Sequence, residues 1–355
     1  MEACPGPDGS PRVTDSYKKI LVIQTAFIGD AILTLPLMQV LKSHYPNSPL
    51  DVVVVPRTAD LFAHHPALSN IIQYDKRGID KGVMGFWRLR NRLRAEHYDL
   101  IIVPHRSLRS ALLTWSLKPA MSIGFDNSEG RKLFKKAVHY DASSHEIERN
   151  CSLLGPLNLP VHSTELPRLY PSSDDRQVVQ TVITETGMIR YKNIIGLAPG
   201  TIWNTKRWPA ERFALVCSQA ASERTAVVLL GGKEDEALCR EITAAAHSFH
   251  VFSVAGRLNL LQSAEMIRRC SVVLTNDSAP MHMAVAMQTP VIAIFGATIP
   301  GFGFAPRGPH DIVLETNGLP CRPCSIHGGN RCPIKTFDCM LSITPEAVLK
   351  KLNLP

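Results

Sequence analysis

The 355 residues contain no glycine-rich phosphate fingerprint. Neither Gly-x-Gly-x-x-Gly nor Gly-x-x-x-x-Gly-Lys-Ser/Thr occurs, so a nicotinamide-dinucleotide or P-loop site has no direct support. No apolar stretch approaches the ~18–20 residues that crossing a bilayer takes. The opening Met1–Ser16 is rich in Pro, Gly, Asp and Ser and lacks the basic-then-apolar pattern of an export signal. It reads as a flexible tail, and the chain is expected in the cytosol. Nine cysteines, an odd number, are then expected as reduced thiols rather than a disulfide framework. There is no internal repeat, and no low-complexity segment beyond the tail. Acidic charge is in deficit: the net charge is +8, and residues 1–150 carry 20 Lys/Arg against 15 Asp/Glu. Such an excess suits nucleic acid, an anionic membrane surface or a phosphorylated substrate. No aromatic-interleaved basic motif favours nucleic acid.

What is present is a soluble composition, 45% hydrophobic and 20% charged, long enough for two domains. Short Val/Ile-rich runs alternate with helical patterns, and the grammar occurs twice. Lys19–Gln24, Asp51–Val55 and Leu100–Val103 read as strands, with helices over Asp30–His44 and Leu108–Leu117. In the second half, strands are expected at Ile194–Ala198, Ala226–Leu230, His250–Val254, Ser271–Leu274 and Val291–Phe295. Helices are expected at Pro209–Ala221, Lys233–Ala246, Leu260–Cys270 and Ala279–Met287. The class is α/β, with two doubly wound parallel sheets and a cleft between them at the carboxyl ends of the strands. A polar segment with Pro160, Pro167 and Pro171 and a helical stretch at Asp175–Glu185 separates the halves. The expected division is 1–16 tail, 17–165 first domain, 166–190 linker and 191–355 second domain, including a cysteine-rich loop at 321–339.

Four strand-to-helix junctions carry candidate chemistry. Thr25–Asp30 follows the first strand; Gly29 allows an unusual backbone angle or a close ligand approach, and Asp30 can cap a helix or accept a proton from an alcohol. Ala198–Pro209 places Lys206 and Arg207 beside the hydroxyls of Thr201 and Thr205, a combination suited to a diphosphate, with Trp208 docking in the core as the plain reading. Gly231–Glu236 offers glycines and acidic side chains suited to ribose hydroxyls, or to a helix dipole. Thr275–His282 puts Asp277, Ser278 and Ala279 where free N–H groups and the dipole favour an anion. Asp277, itself negative, is expected to fix the turn so that the N–H groups of Ser278 and Ala279 face the ligand. Arg106 and Arg109 follow the strand Leu100–Val103 on the cleft side, and Lys132, Lys135, Lys136, His145 and Arg149 can add to a surface for an anionic acceptor. Arg88, Arg90, Arg92 and Arg94 spread around a solvated helix that can also face a membrane. Cys321, Cys324, Cys332 and Cys339 lie within 19 residues. Their spacing leaves structural thiols, a redox pair and a metal site all open, with His327 nearby.

Together these residues resemble a family. Phe27-Ile-Gly-Asp30 with Leu33-Thr-Leu-Pro36, and Thr275-Asn-Asp-Ser-Ala-Pro-Met-His282 with Gln288-Thr-Pro290, are similar to motifs of the family 9 glycosyltransferases, the ADP-heptose:lipopolysaccharide heptosyltransferases. Lys206-Arg-Trp-Pro209 and Cys321-Arg-Pro-Cys324 look most like the heptosyltransferase II branch, and the likeness runs from about Lys18 to Cys339. It implies GT-B architecture, two facing Rossmann-like domains, with acceptor on the first and nucleotide sugar on the second. By resemblance Asp30 is the general base and Lys206 neutralises the diphosphate. Thr201, Glu236, Asp277, Ser278, Ala279 and His282 bind the donor, and Gly29, Arg106 and Arg109 the acceptor. Ala279 stands where the family most often has glycine. The implied reaction is inverting transfer of a heptosyl residue from ADP-heptose to an anionic lipopolysaccharide inner-core acceptor. It needs no metal or other cofactor and no nucleic acid, and it is carried out in the cytoplasm or peripherally at the inner membrane. A GT-B enzyme with another nucleotide sugar, and a non-catalytic metal- or nucleic-acid-binding protein, are the alternatives.

Overall fold

The computed structural model describes residues 17–161 and 165–352. The segment Met1–Ser16, expected as a tail, lies outside the described residues. Two six-stranded sheets are present, each wholly parallel. The first contains β1 (Ile20–Ile23), β2 (Leu50–Val54), β3 (Asn70–Gln73), β4 (Leu100–Val103), β5 (Met121–Phe125) and β6 (Lys136–Val138) in the order β3-β2-β1-β4-β5-β6. The second contains β7 (Asn193–Ala198), β8 (Thr225–Leu229), β9 (Val251–Ser253), β10 (Val272–Asn276), β11 (Val291–Phe295) and β12 (Ile312–Glu315) in the order β12-β11-β10-β7-β8-β9. Counted within each half, the two orders are the same, and this is the doubly wound arrangement expected. The central strands Ile20-Leu-Val-Ile23 and Leu100-Ile-Ile-Val103 are buried on both faces, which is why they read as continuous apolar runs.

Strand order reverses between β1 and β4 in the first sheet and between β7 and β10 in the second. The connections on either side of such a point leave in opposite directions and open a crevice at the carboxyl edge. The loops entering these crevices are 24–27 and 104–107 in the first half, and 199–209 and 277–278 in the second.

The expected single helix Asp30–His44 is two helices, Ile28–Leu33 and Leu35–His44, meeting at Thr34. Pro36 in the first turn of the second helix has no N–H to give the carbonyl of Ile32, so the ladder is interrupted there. Strands β3, β5, β6 and β12 were absent from the sequence reading. Three of them are edges, and their partly exposed patterns lack the run that marks the centre of a sheet. The segment Ser173–Glu185 is a helix with a Ser172–Asp175 capping box, and it packs on the helix Leu260–Arg269 of the second half.

The loop after β7 is pinned by Asn276 at the end of β10. Its side-chain oxygen accepts from the Trp208 N–H at 3.0 Å and its amide donates to the Pro199 carbonyl at 2.9 Å, fully buried. Trp208 itself docks in the core and donates Nε1–H to Ile343 at 3.0 Å. Asn276→Ala leaves a buried donor and a buried acceptor unpaired, so stability falls by roughly 2–4 kcal/mol. Denaturant unfolding measures this, and a loss under 1 kcal/mol contradicts the assigned role.

Candidate active site

Asp30 sits in the first turn of the helix Ile28–Leu33, and its Oδ2 accepts from the Phe27 N–H at 3.2 Å. Oδ1 has no partner among the described residues. Surrounding protein desolvates the carboxyl and raises its pKa, against the Phe27 N–H and the positive charges of His327, Arg106 and Lys206. A base of raised pKa is a better proton acceptor than an ordinary carboxylate. Gly29, next to it, has no positive φ. Its lack of a side chain serves a close approach instead: a Cβ there would lie 3.0 Å from Cδ2 of His282. The two switch points therefore meet through Gly29 and His282, which lie on the helices Ile28–Leu33 and Ala279–Ala286. Burial pushes the His282 imidazole down to about 4, so it is neutral in that contact.

In the second half Lys206 Nζ lies 2.6 Å from Asp277 Oδ2, and the Thr298 hydroxyl donates to the same oxygen at 2.7 Å. Asp277 was expected to fix the turn at the helix start. Instead the N-cap is Ser278, with no side-chain cap bond, and the Asp277 carboxylate is spent on holding Lys206 in the crevice. The N–H groups of Ser278 and Ala279 start the helix and have no acceptor within it. Thr205 is buried and bonds both ways to Gly329: its N–H donates to the Gly329 carbonyl at 2.9 Å and its hydroxyl accepts from the Gly329 N–H at 2.8 Å. Gly328, at φ +83°, lies so close to the Lys206 stem that a Cβ would sit 3.0 Å from Cγ. The tip of the cysteine-rich loop is thus strapped over Lys206 and brings His327 within electrostatic reach of Asp30.

The other expected residues divide. Thr201 flanks this loop, its carbonyl accepting from Arg207 at 2.8 Å. Glu236 begins the helix Glu236–Ala245, with its carboxylate against Gly256. Arg106 stacks over the Tyr140 ring at 4.3 Å and Arg109 over Tyr74 at 5.8 Å. Lys132, Lys135 and Lys136 are exposed near β6. His145 and Arg149, expected on an acceptor surface, are buried and serve the junction between the halves. The Arg149 guanidinium donates to Glu146, the Tyr140 hydroxyl and the carbonyls of Asp141, Ala142 and Phe302. His145 donates Nε2–H to Ala305 at 2.9 Å, and burial holds it down at about 4, uncharged.

Glu146 was not singled out in the sequence. An acid in a first turn reads as a dipole partner, and its burial comes from the other half of the chain: its N–H donates to Gly303 at 2.8 Å. Burial, and then the charge of Asp30, push its carboxyl up to about 7 against the Arg149 hydrogen bond at 3.0 Å. Cys321, Cys324, Cys332 and Cys339 line one cavity of about 260 Å³ as free thiols. Among the described residues no group of three His, Cys, Asp or Glu side chains is arranged to hold a metal ion.

The model of glycosyltransferase family 9 (heptosyltransferase) matches residues 86–329. The chain belongs to glycosyltransferase family 9. It is accordingly an enzyme, a glycosyltransferase of GT-B architecture. Lipooligosaccharide heptosyltransferase 2 of Haemophilus influenzae is 28% identical to this family 9 chain over 94% of it and 98% of the relative. The solved structure of Escherichia coli ADP-heptose lps heptosyltransferase II matches with a TM-score of 0.78 at 26% identity, covering 94% of this chain and 97% of that one. A family 9 glycosyltransferase from Veillonella parvula shares the fold, with a TM-score of 0.85, 24% identity and coverage of 94% and 96%.

Two outcomes follow from this geometry. Gly29→Ala forces the His282 contact apart beside Asp30 and lowers kcat/KM by about tenfold or more, as sub-ångström misplacement of reacting groups does; an unchanged value removes the contact from the mechanism. Glu146→Gln keeps a partner for Arg149 but removes the ionisation near neutral pH. The kcat/KM profile of the variant loses its inflection near 7 and retains the acidic limb set by Asp30.

Proposed function

We propose that the chain transfers a heptosyl residue from ADP-heptose, with inversion, to a hydroxyl of an anionic lipopolysaccharide inner-core acceptor. The observation that carries this reading is Asp30 in one switch-point crevice opposite the Lys206–Asp277 pair in the other. The activities for which the Haemophilus and Escherichia relatives are named support the donor and acceptor classes. Residues 17–165 take the acceptor, 166–190 form the linker and 191–355 take the donor.

In this mechanism Oδ1 of Asp30 accepts the acceptor hydroxyl proton as that oxygen bonds to the anomeric carbon. The bond from that carbon to the diphosphate oxygen breaks on the opposite face, and its electron pair leaves with ADP. Lys206 and the N–H groups of Ser278 and Ala279 receive the developing charge. Thr201 completes the diphosphate loop and Glu236 takes the ribose. His282, uncharged, packs the donor side against Gly29. Arg106 and Arg109 orient the acceptor. Protein cations and a helix terminus do the work a divalent metal does elsewhere, so transfer proceeds in chelator.

The acceptor is lipid-linked and is met at an anionic membrane surface. Among the described residues no helix is long and apolar enough to cross a membrane. Ile79, Val83, Met84 and Trp87 are exposed on and just before the helix Gly82–Arg94, at 80%, 70%, 77% and 47%. Arg77, Lys81, Arg88 and Arg92 surround them, also exposed. An apolar face ringed by cations suits peripheral docking. Sedimentation with phosphatidylglycerol vesicles checks it: the double variant Met84→Ser, Trp87→Ser loses binding, and its retention on the vesicles refutes the docking face.

Asp30→Asn tests the base. Transfer falls by about 10²- to 10⁴-fold, the range of general-base contributions. The sign on stability is the reverse. A carboxyl whose folded pKa is raised loses stability as pH rises through that pKa, so at pH 7 the neutral amide is expected to raise Tm. Near-wild-type turnover rejects Asp30 as the base. A donor screen with ADP-, UDP- and GDP-sugars, read by product mass, tests the sugar nucleotide, and a clear UDP preference rejects ADP-heptose.

A further inference from the structure

The cavity of about 260 Å³ that Cys321, Cys324, Cys332 and Cys339 line has no part in the mechanism above. All four are free thiols, and no three of them are arranged to hold a metal ion, so the chemistry open to them is between pairs. Their surroundings differ. Two residues in the left-handed region, Lys335 at φ +63° and Phe337 at φ +58°, curl the backbone after Cys332, and the N–H groups of residues 334–337 turn toward its sulfur. Burial raises the pKa of this thiol, but those N–H groups together outweigh it and hold the thiol below its ordinary value. Cys324 is exposed; burial of part of its surface and the neighbouring Cys321 and Cys332 raise its pKa, so it keeps its proton. Burial first, then the nearby Cys324, Cys332 and Cys321, push Cys339 up to about 11. Outside this loop, burial pushes Cys217, Cys239 and Cys270 up to about 12. A reachable thiolate beside a protonated thiol is the arrangement from which a disulfide forms.

The two thiols are held differently. Cys324 N–H donates to the Ala297 carbonyl at 2.9 Å, and Arg322 beside it is fixed by the carbonyls of Phe295, Gly296, Thr298 and Thr316 and by the Glu315 carboxylate. Cys332 lies in irregular backbone between that anchor and the helix Asp338–Leu341. Residues 325–331 between the two include Gly328 and Gly329, which strap the loop over Lys206 and Thr205. We propose that Cys332 is a peroxide-reactive thiol, that Cys324 resolves it to a disulfide, and that this disulfide releases the loop from Lys206. The Cys332 thiolate attacks one peroxide oxygen: an S–O bond forms, the O–O bond breaks, and the departing hydroxide takes a proton from solvent. The Cys324 sulfur then gives up its proton and attacks the sulfenic acid; the S–S bond forms, the S–O bond breaks, and the oxygen leaves as water with that proton. Two thiols are oxidised and one peroxide is reduced to water. The new bond fixes the two Cα atoms about 5.5–6 Å apart, so Cys332 is drawn from its cradle of N–H groups toward the anchored Cys324. The tip has no slack, since a Cβ on Gly328 would lie 3.0 Å from the Lys206 stem. The displaced tip therefore gives up its two bonds to Thr205, and Lys206 loses its cover. The reaction of the thiols is independent of the function proposed above; only its effect on the donor rests on that reading.

Peptide mapping of the full chain treated with hydrogen peroxide reads the chemistry. The peptides holding Cys324 and Cys332 are joined, with the loss of two hydrogens, and dithiothreitol separates them. Cys332→Ser forms no cross-link, whereas Cys324→Ser accumulates a sulfenic acid at Cys332 that dimedone labels. Iodoacetamide on the untreated wild type gives a measure that needs no variant: Cys332 is alkylated at lower pH than Cys324. Hydrogen exchange reads the release, and the Thr205 and Gly329 amides exchange about tenfold faster or more in the oxidised protein. Titration calorimetry with ADP reads the consequence. Oxidation weakens binding about tenfold, the loss of one charge-assisted contact, and reduction restores it. Absence of the 324–332 cross-link overturns the proposal, as does a cross-linked protein whose Thr205 and Gly329 amides stay protected, or a metal ion held stoichiometrically by these thiols. Cross-link and faster exchange in a protein that binds no ADP when reduced uphold the thiol switch and overturn the donor reading above.

Discussion

The reversal of strand order is the constraint from which the rest of this molecule follows. Parallel strands joined by right-handed crossovers place their connections on one face or the other, and only at the reversal do neighbouring loops diverge. Each half has one such place, between β1 and β4 and between β7 and β10. Asp30, Arg106 and Arg109 enter by the loops of the first, Lys206, Asp277 and Ser278 by the loops of the second. Gly29 and His282 then bring the two places into contact.

Electrostatically the cleft is built from neutral and cationic parts around a few guarded acids. His105, His145 and His282 are each held down at about 4 by burial, so none adds charge there near neutral pH. The acids are handled separately. Asp277 is matched by Lys206 and a threonine hydroxyl, Glu146 by Arg149, and Asp30 only in part, by one backbone N–H and the more distant charges of Arg106 and Lys206. An incompletely matched carboxylate is the one free to take a proton, which separates the base from its neighbours by environment rather than by residue type.

The fold and the loops of the site were legible because they depend on local pattern. Continuous apolar runs marked the central strands, and strand-to-helix junctions marked every loop that enters a crevice. Leu108–Leu117 and Val291–Phe295 have the bounds the pattern predicts. What was not legible depends on contacts distant in sequence. Glu146 is an ordinary first-turn acid until Gly303 and Asp30 enclose it, and Arg149 is an ordinary surface arginine until Phe302 reaches it. The cysteine-rich loop reads by its thiols, yet its docking is made by Gly328 and Gly329 on Thr205 and Lys206, residues more than 120 positions away. Asp277 shows the same limit within a motif: its place at a helix start was evident, but its partner Thr298 lies beyond the next strand.

Arg149 has a consequence for motion. Its guanidinium satisfies four groups within its own half and one, the Phe302 carbonyl, in the other, while His145 and the Glu146 N–H reach Ala305 and Gly303 alongside it. The short stretch 302–305 is therefore held by three adjacent donors on a single helix start. Separating the halves there exchanges three directed bonds for bonds to water together rather than one at a time. The halves are therefore tied at two places of unlike kind, a buried, directed seam at the helix 146–152 and the exposed Arg57–Glu234 ion pair, which water screens.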